Sequence, residues 1–259
     1  MPAMPIVFFG HGSPTNTLDS NRHTQAWRDF GASRERPRAI LMISAHWYLP
    51  GTAVTAMPRP RTIHDFYGFP QSLFDFRYPA DGDPQLAQRV AQLLASRPVR
   101  LDKEWGLDHG AWSVLAHAYP RADIPVVQLS IDCSLPGASH FEIGRRLGAL
   151  RDEGVLIAGS GNIVHNLGLL RSDPQPEPYD WATTFDRQVR TAIEQTDNVS
   201  LVRYDWLSDE AELSIPTPEH YLPLLYILGA RRSTDRLSVL SEGIELGSIS
   251  MSSYAFDTP

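Results

Sequence analysis

Apolar positions along the chain fall into short unbroken runs, and between the runs they recur every three or four residues. The unbroken runs are Pro5–Gly10, Ala39–Ala45, Pro125–Ile131 and Val155–Gly159, each bounded by Gly, Pro or polar residues. Runs that short and continuous describe strands buried on both faces of a sheet. Thr52–Met57 is a fifth candidate, and the tail from Leu237 to Phe256 is strand-like. Pro84–Ser96 spaces Leu86, Val90, Leu93 and Leu94 along one helix face, and Ser139–Arg151 does the same with Phe141, Ile143, Leu147 and Leu150. Two more helices are predicted over Trp181–Gln195 and Pro218–Leu228, the second with Thr217 as N-cap and Pro218 as its first residue.

Strands alternating with helices predict an α/β fold with a central, largely parallel or mixed sheet flanked by helices. One domain over residues 1–259 accommodates all of it, with the proline-rich piece Asp173–Pro178 as an exposed connection. Composition narrows the function classes. The chain has 259 residues, 42% of them hydrophobic, which is enough to bury a sizeable core. It carries 23 basic and 30 acidic residues, a net charge of -7, and no Lys/Arg stripe, so no nucleic-acid partner is expected. No apolar run approaches the roughly 20 residues that span a bilayer. There is no signal-peptide pattern, and the single Cys133 cannot form an internal disulfide, so a cytoplasmic location without membrane attachment is expected. Following a predicted strand, Cys133 reads as a buried, inert thiol.

The chemistry concentrates in histidines. Ligands of open α/β sheets gather at the carboxyl ends of strands, and three histidines fall there. His11 follows PIVFFG between two glycines, His46 follows AILMISA, and His165 lies just beyond VLIAGSG. Neutral imidazole is a common metal ligand, and three of them converging can hold a divalent ion while leaving positions open. Gly10 and Gly12 would permit close backbone approach around His11. The competing role for each histidine is to hydrogen-bond a strand-end loop. His220, in PTPEHY, offers a fourth ligand or an acid–base group; its neighbour Glu219 is a candidate ligand whose competing role is a favourable charge at a helix N-terminus. His109 sits in WGLDHGAW, a predicted loop suited to an aromatic pocket, where it would hydrogen-bond substrate or relay a proton unless it or Asp108 caps the next helix. His64, in IHDFYGFP, raises the same question, whereas His23, His117 and His140 read as ordinary helix-associated histidines. Trp47, Phe66, Tyr67, Phe69, Trp105 and Trp112 are candidates for the walls of that pocket, with core packing as the competing role. Ser13 and Ser160 lie near glycines, but neither forms G-x-S-x-G, and the Walker lysine is absent from GSGN.

GHGSP at 10–14, SAHW at 44–47, LDHGAW at 107–112, GNIVHN at 161–166 and PEHYLPL at 218–224 occur in this order. The set resembles the class III extradiol ring-cleavage dioxygenases, most closely their 4,5-DOPA dioxygenase branch, from about residue 5 to about residue 250. The resemblance implies a non-haem metal and insertion of both atoms of O2 into a catechol ring. It matches the metal positions to His11, His46 and His165, with His220 a further ligand or near neighbour, and it matches His109 to a pocket acid–base histidine. Either His165 or His109 would move the proton. Many extradiol enzymes use two histidines and a carboxylate; here the matched positions are all imidazoles, which suit Zn2+ as well as Fe2+. Two other readings stay open at this point: a zinc-dependent hydrolase, and a non-catalytic metal-binding protein on the same fold.

Overall fold

The structure, a computed structural model, describes residues 3–173 and 176–259. The described residues form ten strands: β1 Ile6–Gly10, β2 Ala39–Leu49, β3 Thr52–Thr55, β4 Val99–Asp102, β5 Val126–Asp132, β6 Val155–Gly161, β7 Arg236–Ser241, β8 Ile244–Glu245, β9 Ile249–Ser250 and β10 Ser253–Asp257. Eight of them make one mixed sheet in the order β4-β3-β5-β2-β6-β1-β10-β7, and β8 pairs with β9. The centre, β5-β2-β6-β1, is parallel; β10 and β7 add an antiparallel edge. The α-helices are α1 Arg22–Ser33, α2 Gln71–Asp75, α3 Pro84–Leu93, α4 His109–Ala118, α5 Gly137–Leu147, α6 Asp180–Gln195, α7 Asn198–Val202, α8 Ala211–Ser214 and α9 Leu222–Ala230.

Period-two alternation divides the core. On β1, Ile6 and Phe8 pack into one apolar layer with α3, α5, α6 and α9, while Val7 and Phe9 pack into the opposite layer with α1 and α4. Both layers are fully buried at these positions, which is why β1, β2 and β6 read as continuous apolar runs and not as alternating ones. Helix α9 is buried on every side, as expected for a helix that is apolar all round.

Several boundaries differ from the sequence reading, each for a local reason. Pro218–Leu228 is not one helix. A 3-10 turn, Pro218–His220, is followed by α9, because Pro223 has no N–H to continue a helix and is tolerated only in a new first turn. Thr217 caps nothing; its hydroxyl donates to Glu219 Oε1 at 2.8 Å. The predicted loop around His109 is the start of α4, with the Asp108 side chain accepting from Ala111 N. Helix α1, not foreseen, begins with an Asn21–Thr24 capping box. Ser139–Arg151 divides into α5 and a 3-10 turn, Gly148–Glu153. Cys133 is exposed, not buried, because it lies past the end of β5 in a turn where Asp132 accepts from the Ser134 backbone and hydroxyl. Within the proline-rich connection, residues 174 and 175 lie outside the described set.

Candidate active site

Strand order brings distant histidines together. β6 lies between β1 and β2, so His11, directly after β1, and His46, inside β2, flank the carboxyl end of β6. There β2 bulges: it advances from Ile43 to Tyr48 while β5 advances only from Leu129 to Ile131, and His46 is carried in that irregular stretch. His165 follows β6, held by its backbone N–H to Ser214 O at 2.9 Å. His220 ends the 3-10 turn, and its carbonyl accepts from Asn162 N at 2.9 Å. The glycines around His11 serve two different ends. A Cβ on Gly10 would lie 2.7 Å from the Met251 carbonyl carbon, so only glycine lets the chain before β10 approach this closely; Gly12 adopts φ +60°. The loop is tied further by Asn16 Nδ2 donating to His11 O at 3.1 Å and by His117 Nε2 donating to Asn16 O at 2.7 Å.

The groups beside each ring select which nitrogens carry protons. Ser160 Oγ donates its one proton to Gly110 O at 2.6 Å, so at 3.0 Å from His11 Nδ1 it can only accept. That leaves the His11 Nε2 lone pair free. His46 Nδ1 lies 3.2 Å from Asp65 Oδ2, and His220 Nδ1 lies 3.1 Å from Glu219 Oε1. A carboxylate at Nδ1 selects the Nδ1–H tautomer, so both of these rings also offer Nε2. Burial first, and then the neighbouring imidazoles, holds His11, His46 and His220 well below the usual histidine range, so all three are neutral at pH 7. His11 Nε2 and His46 Nε2 face each other at 3.2 Å. His220 Nε2 is buried without a partner. Two opposed lone pairs and a third orphaned one are costly without a cation among them. The donor set therefore fits a divalent metal ion with nitrogen ligands.

His109 and His165 complete the ring of five. His109 lies against His46, ring centroids 3.8 Å apart, with Nδ1 3.0 Å from Asp65 Oδ2 and its backbone N–H donating to Asp65 Oδ1 at 3.0 Å. Ligand atoms of His11, His46 and His109 lie within 4.8 Å of one another, as do those of His165, Glu219 and His220. His165 stacks flat on His220 at 3.4 Å, and among the described residues nothing hydrogen-bonds its ring. Burial lowers it to about 4.

Asp65 was missed in the sequence although it stands in the quoted IHDFYGFP. Burial works against its charge, but the His109 and His46 imidazoles hold its carboxyl down to about 2. Asp108, behind it, is pushed up to about 6 by burial and by Asp65, although Ser44 Oγ donates to it at 2.7 Å and Gln128 also donates. Ser160 and Glu219 act as partners of histidine ring nitrogens.

The five histidines share one cavity of about 400 Å³ with Phe66, Tyr67, Phe69, Leu167, Leu170, Leu246 and Ile249. Half of the proposed aromatic wall is therefore present. Trp47 and Trp105 stack on each other away from the cavity, and Trp112 is buried behind it with its indole N–H on Ile63 O. His64 faces Phe76 O, not the cavity.

Residues 4–257 match the family described as the catalytic LigB subunit of aromatic ring-opening dioxygenase. The chain belongs to the LigB family. A 4,5-DOPA dioxygenase extradiol of Escherichia coli K12 is 54% identical over 96% of this chain and 93% of its own length. The protein of the same name from Beta vulgaris is 38% identical over 96% and 95%. A crystal structure of an uncharacterized Escherichia coli K12 protein superposes with TM-score 0.85 at 48% identity, covering 98% of this chain and 100% of its own. The LigB match decides among the three readings left open by the sequence: the protein is an extradiol dioxygenase, a ring-cleaving oxidoreductase that acts on a small molecule with O2 and uses a metal ion. Among the described residues no helix is long and apolar enough to cross a membrane.

Proposed function

We propose that this LigB protein opens the ring of a catechol beside its diol, with L-DOPA, the compound in its relatives' names, as one example, and that His11, His46 and His220 hold a single Fe2+ for turnover. The observation that carries the metal assignment is the set of three neutral Nε2 lone pairs, two facing each other at 3.2 Å and one buried without a partner. Bound there, iron would supply the one-electron chemistry that couples catechol to O2, which redox-inert Zn2+ cannot supply. The ring carbon–carbon bond next to the diol breaks, both oxygen atoms end in the product, and the ring provides all four electrons.

The chain's own residues handle protons and position. One proton leaves a catechol hydroxyl, and one is delivered as the ring opens. His165 suits both roles, a reading supported by its ring, which opens on the cavity, is neutral at pH 7 and has no competing hydrogen-bond partner among the described residues. His109, its Nδ1 against Asp65, presents the rest of its ring to the cavity and orients a substrate oxygen. Phe66 and Phe69 exclude water from one side. A cytoplasmic site of action fits a chain with one cysteine.

The test is oxygen uptake by metal-stripped protein reloaded anaerobically with Fe2+ or Zn2+ and then given L-DOPA and simple catechols in air. Uptake with iron alone, with a yellow ring-opened product, is expected. His11→Ala and His46→Ala should lose metal and turnover together, and His165→Ala should keep metal and lose rate. A His11→Ala protein that turns over normally would refute the assignment.

A further inference from the structure

The cavity has a chemical bias that the catechol reading does not require. Apart from the histidines, its polar side-chain lining is limited to Ser13 and the hydroxyl of Tyr67, and no Asp, Glu, Lys or Arg side chain lines it among the described residues. Asp65 and Glu219 stand behind the imidazoles, occupied with Nδ1 atoms. The side away from the histidines is apolar: Phe66, Phe69, Leu167, Leu170, Leu246 and Ile249. Those apolar groups continue outward to the mouth. Tyr67 is 92% exposed, Leu167 61% and Leu170 44%, and all three line the cavity. Large apolar side chains gathered at the mouth of a site mark a ligand-binding surface. Beyond Leu246 and Ser13 the adjoining groove carries Asp19, Glu177 and Glu245, with no Lys or Arg in its lining among the described residues, so a purely anionic substituent reaching past the rim meets like charge. The volume of about 400 Å³ falls in the range of pockets for ligands larger than a bare catechol, about 300–1,000 Å³.

We propose that the substrate is a catechol bearing a neutral apolar substituent, which lies along Phe66, Phe69, Leu167 and Leu170 while the diol faces the histidines. The proposal rests on the catechol reading above. An α-amino acid substituent, as in L-DOPA, finds no charged partner in the cavity; an alkyl or aryl one finds a continuous apolar wall from the site to the surface. Each methylene laid on that wall should improve binding by about threefold, somewhat under full burial because the mouth is open.

The experiment compares kcat/KM of the iron-loaded protein for catechol, 4-methylcatechol, 4-butylcatechol, L-DOPA and 3,4-dihydroxyphenylacetate. 4-Butylcatechol is expected to exceed catechol by about 30-fold or more, with L-DOPA and the anionic acid at or below catechol. The double variant Leu167→Asn, Leu170→Asn should compress the butyl-to-catechol ratio to less than about fivefold. L-DOPA outperforming 4-butylcatechol, or an unchanged ratio in the double variant, would overturn the proposal. Anaerobic calorimetry with the same compounds separates this claim from the catechol reading. If none is turned over, the dissociation constants of 4-butylcatechol and catechol still decide it: the butyl compound should bind more tightly by the same factor, and equal constants overturn it.

Discussion

Replacing Gly161 by alanine tests how the backbone sets the metal site. Gly161 ends β6, paired with Gly10 of β1, and has central strands on both sides. A Cβ there would lie 2.1 Å from the His220 carbonyl oxygen and 3.2 Å from Pro223 Cγ. Ordinary contact needs about 1 Å more, and the obstacle is backbone, so no side-chain rotation relieves it. Since β6 is held by two neighbours, the His220 turn is the element that moves, which also strains the bond from Asn162 N to His220 O. Overpacking of this kind costs about 1–3 kcal/mol, or about 5 °C in Tm for a chain of this size. Ligand positions in metal sites tolerate about 0.2 Å, so a shift of about 1 Å in His220 removes it from the ligand set. Gly161→Ala should therefore fold, melt a few degrees lower as metal-free protein, and retain well under half the wild-type metal after dialysis against a weak chelator. Gly148→Ala is the control, because its new Cβ would meet nothing nearer than 3.6 Å. Metal content is read by plasma mass spectrometry and stability by calorimetry. A Gly161→Ala protein with full metal and unchanged Tm would refute the claim that this close approach places His220.

Three further outcomes follow from the partners of the histidines. Asp65→Asn removes the charge facing both His46 Nδ1 and His109 Nδ1 and should weaken metal binding about 10–100-fold in competition titrations; unchanged affinity would remove Asp65 from the site. Ser160→Ala leaves His11 Nδ1–H without its acceptor and Gly110 O without its donor, costing about 1–3 kcal/mol in urea unfolding of the metal-free protein. Away from the site, burial lowers His140 to about 4 from 6.5, so the unfolded chain binds the extra proton first. Stability then falls on acidification between pH 6.5 and 4, by about 3 kcal/mol at the lower end; His140→Gln should flatten the slope of stability against pH in that window, and an identical slope would contradict it.

The buried strands were legible because burial on both faces writes itself as unbroken apolar runs, and β1, β2, β5 and β6 appear where those runs stand. The strand-end rule pointed to His11 and His165, which follow β1 and β6, whereas His46 lies inside β2, which runs on past its apolar stretch through the irregular segment between Ile43 and Tyr48. What escaped depends on partners far away in sequence. Nothing near Asp65 reveals that His46 and His109 meet over its carboxylate, and nothing near Ser160 shows that Gly110 O will claim its proton. Helix α4 was hidden because glycine, histidine and tryptophan open it, and only Asp108, read as one of two roles, marked its start. The prolines in PTPEHYLP suggested a helix start but not that the last of them, Pro223, would sit in the first turn of a separate helix and leave His220 in a tight turn. Trp47 and Trp105 looked like pocket walls because aromatic content alone does not say which way a ring turns; they stack on each other instead.

The most direct test of extradiol ring cleavage at this histidine cluster is turnover of a catechol by the iron-loaded protein under 18O2, with the product weighed by mass spectrometry. The account predicts two labelled oxygen atoms in each ring-opened product molecule from wild type, and no product from His220→Ala. With the product's aldehyde reduced as it forms, before its oxygen exchanges with water, a product with one labelled atom or none would contradict it.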